Sequence, residues 1–359
     1  MEKLKVGIIG AGGIAQYVHI PSYQKIEGVE VVAVSDINEE KLDYVAEKFN
    51  IPKKFKDWKD LLSEDIDIVS ICSPNSFHAE QTICALNAGK NVMCEKPACL
   101  NLQEAEEIFR TVKKTGKKFM VAFNKRFLPE IKFLKKLIEN GEFGEIYYVK
   151  TSYLRRRGIP GLGSWFTTKK LAGGGPMFDI GVHIVDLAIY LMGGPMPELV
   201  VGAYYDKFKD KATDGGWPPI ESRIGDKKTG IFDVEDFACG YVKLSNGATL
   251  FVEASWAGNC QPGIKTIIMG TKAGAEIPDP LNPQNPLRIY SEINGTLTDI
   301  TPSLPKTSPN FSYEEEIKHF IECIREDKEP ITKEREIISV IKIIEGIYKS
   351  AETGQAIKY

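Results

Sequence analysis

The stretch that most constrains this chain runs from Leu4 to Ala15 and reads LKVGIIGAGGIA. Leu4 to Ile9 is a short apolar run with β-branched residues. Gly10-Ala11-Gly12-Gly13 interrupts it, and helical character follows over Ile14–Lys25. This is the pattern of a buried strand, a tight turn and a helix start. Gly10, Gly12 and Ala15 meet the spacing G-x-G-x-x-A. The first glycine permits the turn, the second lets backbone approach a pyrophosphate, and the small third residue lets the helix pack close to its strand. Gly12, Gly13, Ile14 and Ala15 would then present free N–H groups and the positive dipole end of the helix to the phosphates.

Alone, such a pattern is weak evidence, and its context gives it weight. A second strand-like run, Glu30–Ser35, ends at Asp36, 24 residues after Gly12. An acid in that place hydrogen-bonds the adenosine ribose hydroxyls. It also repels a 2′-phosphate, and Ile37 supplies no positive charge, so NAD is expected ahead of NADP.

With 359 residues, the chain is long enough for two domains. A net charge of −3 gives no footprint for nucleic acid. The first strand begins so near Met1 that no signal peptide is expected. Nor does any apolar run approach the roughly 18 residues of a membrane span. The seven cysteines are odd in number and show no C-x-x-C, and the four histidines are scattered. They are read as reduced thiols in a cytoplasmic protein without a metal site.

Over the first ~120 residues strands and helices alternate, the mark of a doubly wound parallel sheet with helices on both faces. Gly10–Gly13, Asp36, Ser73-Pro74-Asn75, Glu95-Lys96-Pro97 and Asn124 all fall just after strands. In a parallel sheet those points share the edge where ligands bind, so they should meet around one cofactor. The second half reads as successive strands, with Asn246-Gly247 as a hairpin signal, and predicts a large, open, mainly antiparallel sheet. Residues 1–124 are thus expected to bind the nucleotide. Residues 125–359 are expected to form an α+β domain for substrate and assembly, its last helices packing back on the first. The polar stretch 206–230 reads as an insertion at a subunit contact or the site's rim, and Pro278–Pro286 as an irregular loop.

Gly173–Gly194 predicts a helix that is apolar nearly all round. Its exceptions, Asp179, His183, Asp186 and Tyr190, are spaced to share one face. A polar stripe on a buried helix needs partners or a cavity. For Asp179 and His183, beside the glycine-rich turn, a functional role is expected. Asp186 and Tyr190 fit an internal network equally well. Lys96 follows a strand at the cofactor edge and suits a group that exchanges a proton beside nicotinamide. Trp165-Phe166 would either stack on a sugar face or pack in the core. Arg155-Arg156-Arg157 would grip a carboxylate or phosphate, or form a solvated edge or subunit contact.

At these motifs the chain resembles the Gfo/Idh/MocA oxidoreductase family. The resemblance rests on the Gly10–Ala15 fingerprint, Ser73-Pro74-Asn75 with His78, Glu95-Lys96-Pro97, Phe123-Asn124-Lys125-Arg126-Phe127, Gly173-Gly174-Gly175, Asp179-x-x-x-His183 and Asp233–Asp236. It implies an N-terminal Rossmann domain, and a C-terminal sheet whose outer face makes a homodimer or homotetramer. It further implies that Lys96, Asp179 and His183 are catalytic, and Ser73, Pro74, Asn75, His78, Glu95, Lys96 and Asn124 are expected to join the glycine turn and Asp36 around the cofactor, with Trp165 as the candidate aromatic contact to the substrate. The expected reaction is hydride transfer between NAD and a secondary alcohol of a sugar, cyclic polyol or sugar derivative. His183 is oriented by Asp179, and either His183 or Lys96 serves as formal base. The competing readings are action on a nucleotide-linked sugar or sugar acid with tightly held cofactor, and a non-catalytic NAD- or sugar-sensing regulator.

Overall fold

The computed structural model describes residues 3–211, 213–226, 228–277 and 286–359. The expected loop at Pro278–Pro286 falls, but for its last residue, outside the described residues.

Six strands build the first sheet: β1 (Leu4–Ile9), β2 (Val29–Ser35), β3 (Lys53–Phe55), β4 (Ile68–Ile71), β5 (Asn91–Cys94) and β6 (Phe119–Val121). Their order is β3-β2-β1-β4-β5-β6, and every neighbouring pair is parallel. Val6, Ile8, Ile68, Val69 and Val92 are fully buried in these strands. Each such side chain contributes about 1.5–3 kcal/mol of transfer free energy, which is why the central runs β1, β4 and β5 are mainly apolar rather than alternating. Capping chemistry sets the helix starts. Asn38 accepts from Lys41 N to open the helix Glu39–Phe49, and Asn101 accepts from Glu104 N to open Leu102–Thr115.

The second sheet has nine strands: β7 (Ile146–Leu154), β8 (Pro197–Tyr205), β9 (Phe237–Leu244), β10 (Thr249–Ser255), β11 (Gly263–Gly270), β12 (Ala273–Ile277), β13 (Arg288–Ile293), β14 (Thr296–Ile300) and β15 (Ile357–Lys358). The order is β14-β13-β12-β11-β7-β10-β9-β8-β15. All pairings are antiparallel except β7 with β10. Gly247, at φ 84°, makes the β9–β10 hairpin turn anticipated from Asn246-Gly247. Strands β12 and β15 were not foreseen. Ala273-Gly274-Ala275 carries little β-propensity, and β15 has two residues.

Helix Val182–Leu191 packs on β7 and β10 and helix Glu334–Thr353 on β8, and the two helices touch each other; all but one residue of the first is buried. A further helix, Phe311–Arg325, contributes Ile317, Phe320 and Ile321 to the core of the nucleotide half. Contrary to expectation, Lys169–Leu191 is long and apolar enough to cross a membrane, with a mean hydropathy of 1.2 over its window. That window is 89% buried inside the protein, as befits a core helix.

Candidate active site

The parallel sheet brings the post-strand motifs to one edge, where a cleft opens toward the second sheet. Ile14, Ser73, Asn75, Glu95 and Lys96 wall it from the nucleotide half, and Trp165, Asp179 and Trp256 from the other. Gly10 sits at φ 92°, and a Cβ there would stand 2.8 Å from the Cys72 backbone. Around Gly12 nothing lies within 4 Å of a built Cβ. The turn is therefore tight where it crosses the sheet and bare where a pyrophosphate would approach, which fits a dinucleotide. Asp36 braces this turn, accepting from Ala11 N at 2.9 Å and Asn38 N at 2.9 Å.

Lys96 spans the cleft. Its ammonium donates to the Asp179 carbonyl at 2.8 Å and to Asp179 Oδ1 at 3.2 Å. Asp179 Oδ2 accepts from the Trp256 indole N–H at 2.9 Å. Both carboxylate oxygens are thus committed, and neither goes to His183. The anticipated orientation of His183 by Asp179 gives way to a clamp on Lys96. The cause is local. Met177–Gly181 is a wide π turn, which adds a residue to the turn and shifts Asp179 off the face that a regular helix would give it. A Cβ on Gly175 would overlap the Glu235 carbonyl. Glu235 itself accepts from Gly175 N at 2.8 Å and from the Tyr348 hydroxyl at 2.5 Å. This fixes the backbone leading into the π turn.

His183 has a buried Nδ1 that finds no partner among the described residues. Burial pushes its pKa well below the usual value, and the charges of Lys96, Lys125 and Arg155 push it further. The ring is neutral at neutral pH, the form that accepts a proton. Arg155 turns inward while Arg156 and Arg157 stay exposed. Burial opposes the Arg155 charge, but the Asp179 carboxylate and the Tyr153 hydroxyl together outweigh it and raise the guanidinium pKa.

The other expected site residues are tied to the surrounding structure by hydrogen bonds and ring contacts. His78 is buried, its Nδ1 lying 2.6 Å from Pro97 O and its Nε2 2.8 Å from Ser73 O. It joins the Ser73-Pro74 turn to the cis Lys96–Pro97 turn. Burial lowers its pKa. The Asn124 side chain is spent on Ser312 Oγ at 3.1 Å, and Asn75 donates to Ala172 O at 2.9 Å. Ser73 Oγ donates to Gln81 at 2.6 Å. Glu95 receives the His19 ring at 2.9 Å. Burial raises the Glu95 pKa, but that hydrogen bond and the surrounding positive charges outweigh it and hold the carboxyl below the usual range. Trp165 stacks on Phe166 with centroids 3.9 Å apart, and both face the cleft. Asp186 and Tyr190 belong to an internal network instead. Arg126 donates to Asp186 at 2.5 and 3.0 Å and to Glu336 at 2.6 Å, and lies 4.5 Å over the Tyr190 ring.

Sequence reasoning missed Trp256, His19 and the inward turn of Arg155. Trp256 closes an apolar strand and reads as core. Arg155 is inseparable from its two neighbours in sequence. Only the parallel pairing of Leu154 with Ser255 places Arg155 and Trp256 side by side at the cleft.

Residues 4–123 match the NAD-binding Rossmann-fold domain of an oxidoreductase family, Gfo/Idh/MocA, and residues 135–359 match the family's C-terminal alpha/beta domain. The chain belongs to the Gfo/Idh/MocA oxidoreductase family. It is 34% identical to D-glucoside 3-dehydrogenase of Escherichia coli over 99% of this chain and 97% of that protein. It is 31% identical to levoglucosan dehydrogenase of Pseudarthrobacter phenanthrenivorans over 71% of this chain and 68% of that one. Among solved structures, aldose-aldose oxidoreductase from Caulobacter crescentus superposes with a TM-score of 0.79 at 27% identity, covering 100% of both chains. The relatives are sugar and polyol dehydrogenases, and this chain is an oxidoreductase of their kind with a nicotinamide-binding fold.

Proposed function

We propose that this protein transfers a hydride between NAD and a secondary carbinol of a sugar or cyclic polyol, with Lys96, Asp179 and His183 as the catalytic group. The observation that carries this reading is the Lys96–Asp179 clamp across the cleft, with neutral His183 electrostatically coupled to Lys96.

Gly10, Gly12, Gly13, Ile14 and Ala15 would hold the pyrophosphate, and Asp36 the adenosine ribose. Ser73, Pro74, Asn75, Glu95 and Lys96 would flank the nicotinamide end, with His78 and Asn124 behind them. The bound nicotinamide supplies the hydride acceptor. Lys96 donates a hydrogen bond to the carbinol oxygen, and His183 takes the hydroxyl proton. In the reverse direction the same two groups protonate and stabilise the alkoxide. Asp179 holds the Lys96 ammonium in place, and Trp256 holds Asp179. Positioned acid–base groups of this kind contribute about 10²–10⁴ in rate. Trp165 offers an aromatic face to the sugar ring.

NAD is preferred over NADP because a carboxylate at Asp36 repels a 2′-phosphate. The chain divides at residue 124 into a nucleotide half and a substrate half. Val201, Tyr147, Phe251 and Met269 alternate outward on the second sheet and are exposed, and a homodimer or homotetramer would cover them. All seven cysteines are free, four of them buried, which suits a reducing compartment such as the cytoplasm.

The test is absorbance at about 340 nm with NAD or NADP and a panel of glucosides, aldoses, inositols and sugar acids. Reduction of NAD by at least one neutral sugar or polyol is expected. Absence of turnover with every panel member in both directions, with NADH bound, would overturn the catalytic reading in favour of a sensor.

A further inference from the structure

After β8, residues 218–226 meet the nucleotide half and lie over the glycine turn. A Cβ built on Gly13 would meet Pro218 Cβ at 2.5 Å and Ser222 Oγ at 3.0 Å. Gln16 Nε2 donates to Ser222 O at 3.5 Å and Tyr17 to Glu221 at 3.4 Å. Beyond the turn, Asn38 donates to Ile224 O at 3.3 Å, and the Lys41 ammonium pairs with Asp226. Trp217 reaches the cleft itself.

The segment is built, not slack. Arg223 grips Asp214 at 2.5 and 2.9 Å and donates to Pro218 O at 2.6 Å. Gly161 N donates to Trp217 O at 2.7 Å, and Gly215 N to Ile159 O at 2.8 Å. Ordering such a stretch costs backbone entropy, which these contacts must offset. A connection this long inside a compact domain is usually functional. Its contacts with the nucleotide half fall on two places: the helix start that receives a diphosphate, and the residues just after Asp36 that face the adenosine ribose.

We propose that residues 213–226 are the outer wall of the dinucleotide site, retaining the nucleotide through turnover and adding Asp226 to Asp36 as a second determinant against a 2′-phosphate. This rests on the nicotinamide reading above. Bound nucleotide is enclosed between this wall and the first sheet, and it leaves when the wall lifts. The hydrogen bonds holding the wall to the nucleotide half are few and polar, so lifting does not require unfolding. At the ribose end, Lys41 is the cation in the first turn after Asp36. A 2′-phosphate needs such a cation. Here the Lys41 ammonium is occupied by Asp226, and its side chain is only 7% exposed.

The experiment is stopped-flow displacement of bound NADH and NADPH, read by nucleotide fluorescence. It uses the wild type, a variant with residues 215–226 replaced by a short Gly-Ser linker, and Asp226→Ala. Circular dichroism and Tm establish that each is folded. The linker variant is expected to release NADH about tenfold faster or more. Asp226→Ala, a surface change that does not depend on the linker variant folding, is expected to shift the NADPH-to-NADH affinity ratio about fivefold toward NADPH. NADH release within about twofold of wild type in the folded linker variant overturns the retaining wall. An unchanged affinity ratio in Asp226→Ala overturns the second determinant. A wild-type protein that binds neither nucleotide overturns the nicotinamide reading and this inference together, whereas NADH bound and released independently of the wall overturns only the inference.

Discussion

Asp179 and Asp186 stand seven residues apart on one continuous helical stretch and look alike in sequence. The first lies in the π turn at the cleft, where it shares Lys96 and Trp256. The second lies in the helix body, fully enclosed, and receives two hydrogen bonds from Arg126. Burial pushes the Asp186 carboxyl up to about 6 against the pull of Arg126. The difference teaches that a polar stripe on a buried helix can serve two ends, and that the partner decides which. One acid faces a cation at the mouth of a cavity and is available to a reaction. The other faces a cation walled in by Glu336 and Tyr190 and serves packing.

The comparison is sharpened most by changing each cation. Lys96→Ala is expected to lower kcat/KM by about 10²–10⁴ with little change in Tm, because only a cleft contact is lost. Steady-state kinetics and a thermal melt check both halves of that statement. Arg126→Met should do the reverse. It leaves two buried carboxylates without their cation and costs about 3–5 kcal/mol of stability by denaturant unfolding. The molecules that remain folded should keep KM and kcat close to wild type. Smaller is the effect of Trp256→Phe, which removes one hydrogen bond to Asp179 and should cost about 1 kcal/mol of transition-state stabilisation, read as a several-fold loss in kcat. A loss in stability alone would place Trp256 with the packing group.

The smallest effect concerns protons. The native pKa of His183 lies below the unfolded value of 6.5 because of burial and nearby cations. Below pH 6.5 the unfolded chain therefore binds a proton that the native state refuses. The stability contribution is complete above 6.5 and is lost as pH falls. Tm should drop between about pH 7 and about pH 5, and drop less in His183→Gln. Equal drops in the two proteins would show that other groups carry the acid sensitivity. His78, also lowered by burial, is the first of these to consider.

Much of the fold was legible because its signals are local. Strand runs such as Ile66–Cys72 (IDIVSIC) are mainly apolar, and a capping residue such as Asn101 stands where a helix starts. The cofactor edge was legible because parallel topology brings every post-strand motif to one side. What was hidden depends on long-range register or on backbone irregularity. The π turn at Met177–Gly181 leaves no periodic trace and redirects Asp179. Trp256 needs the β7–β10 pairing before it can be placed beside Arg155. The role of 213–226 is written in contacts to residues about 200 positions away in sequence, such as Gln16 with Ser222. Spacing along the chain cannot carry such information.

The most direct test of the central claim, that the Lys96–Asp179 clamp belongs to the reaction and the Arg126–Asp186 pair to the scaffold, is a single-turnover measurement of hydride transfer. It would be made with a sugar that the wild type oxidises, comparing folded Lys96→Ala and folded Arg126→Met after each is shown to bind NADH. Transfer is expected to collapse in the first and to proceed near the wild-type rate in the second. Transfer at the wild-type rate in Lys96→Ala would contradict it.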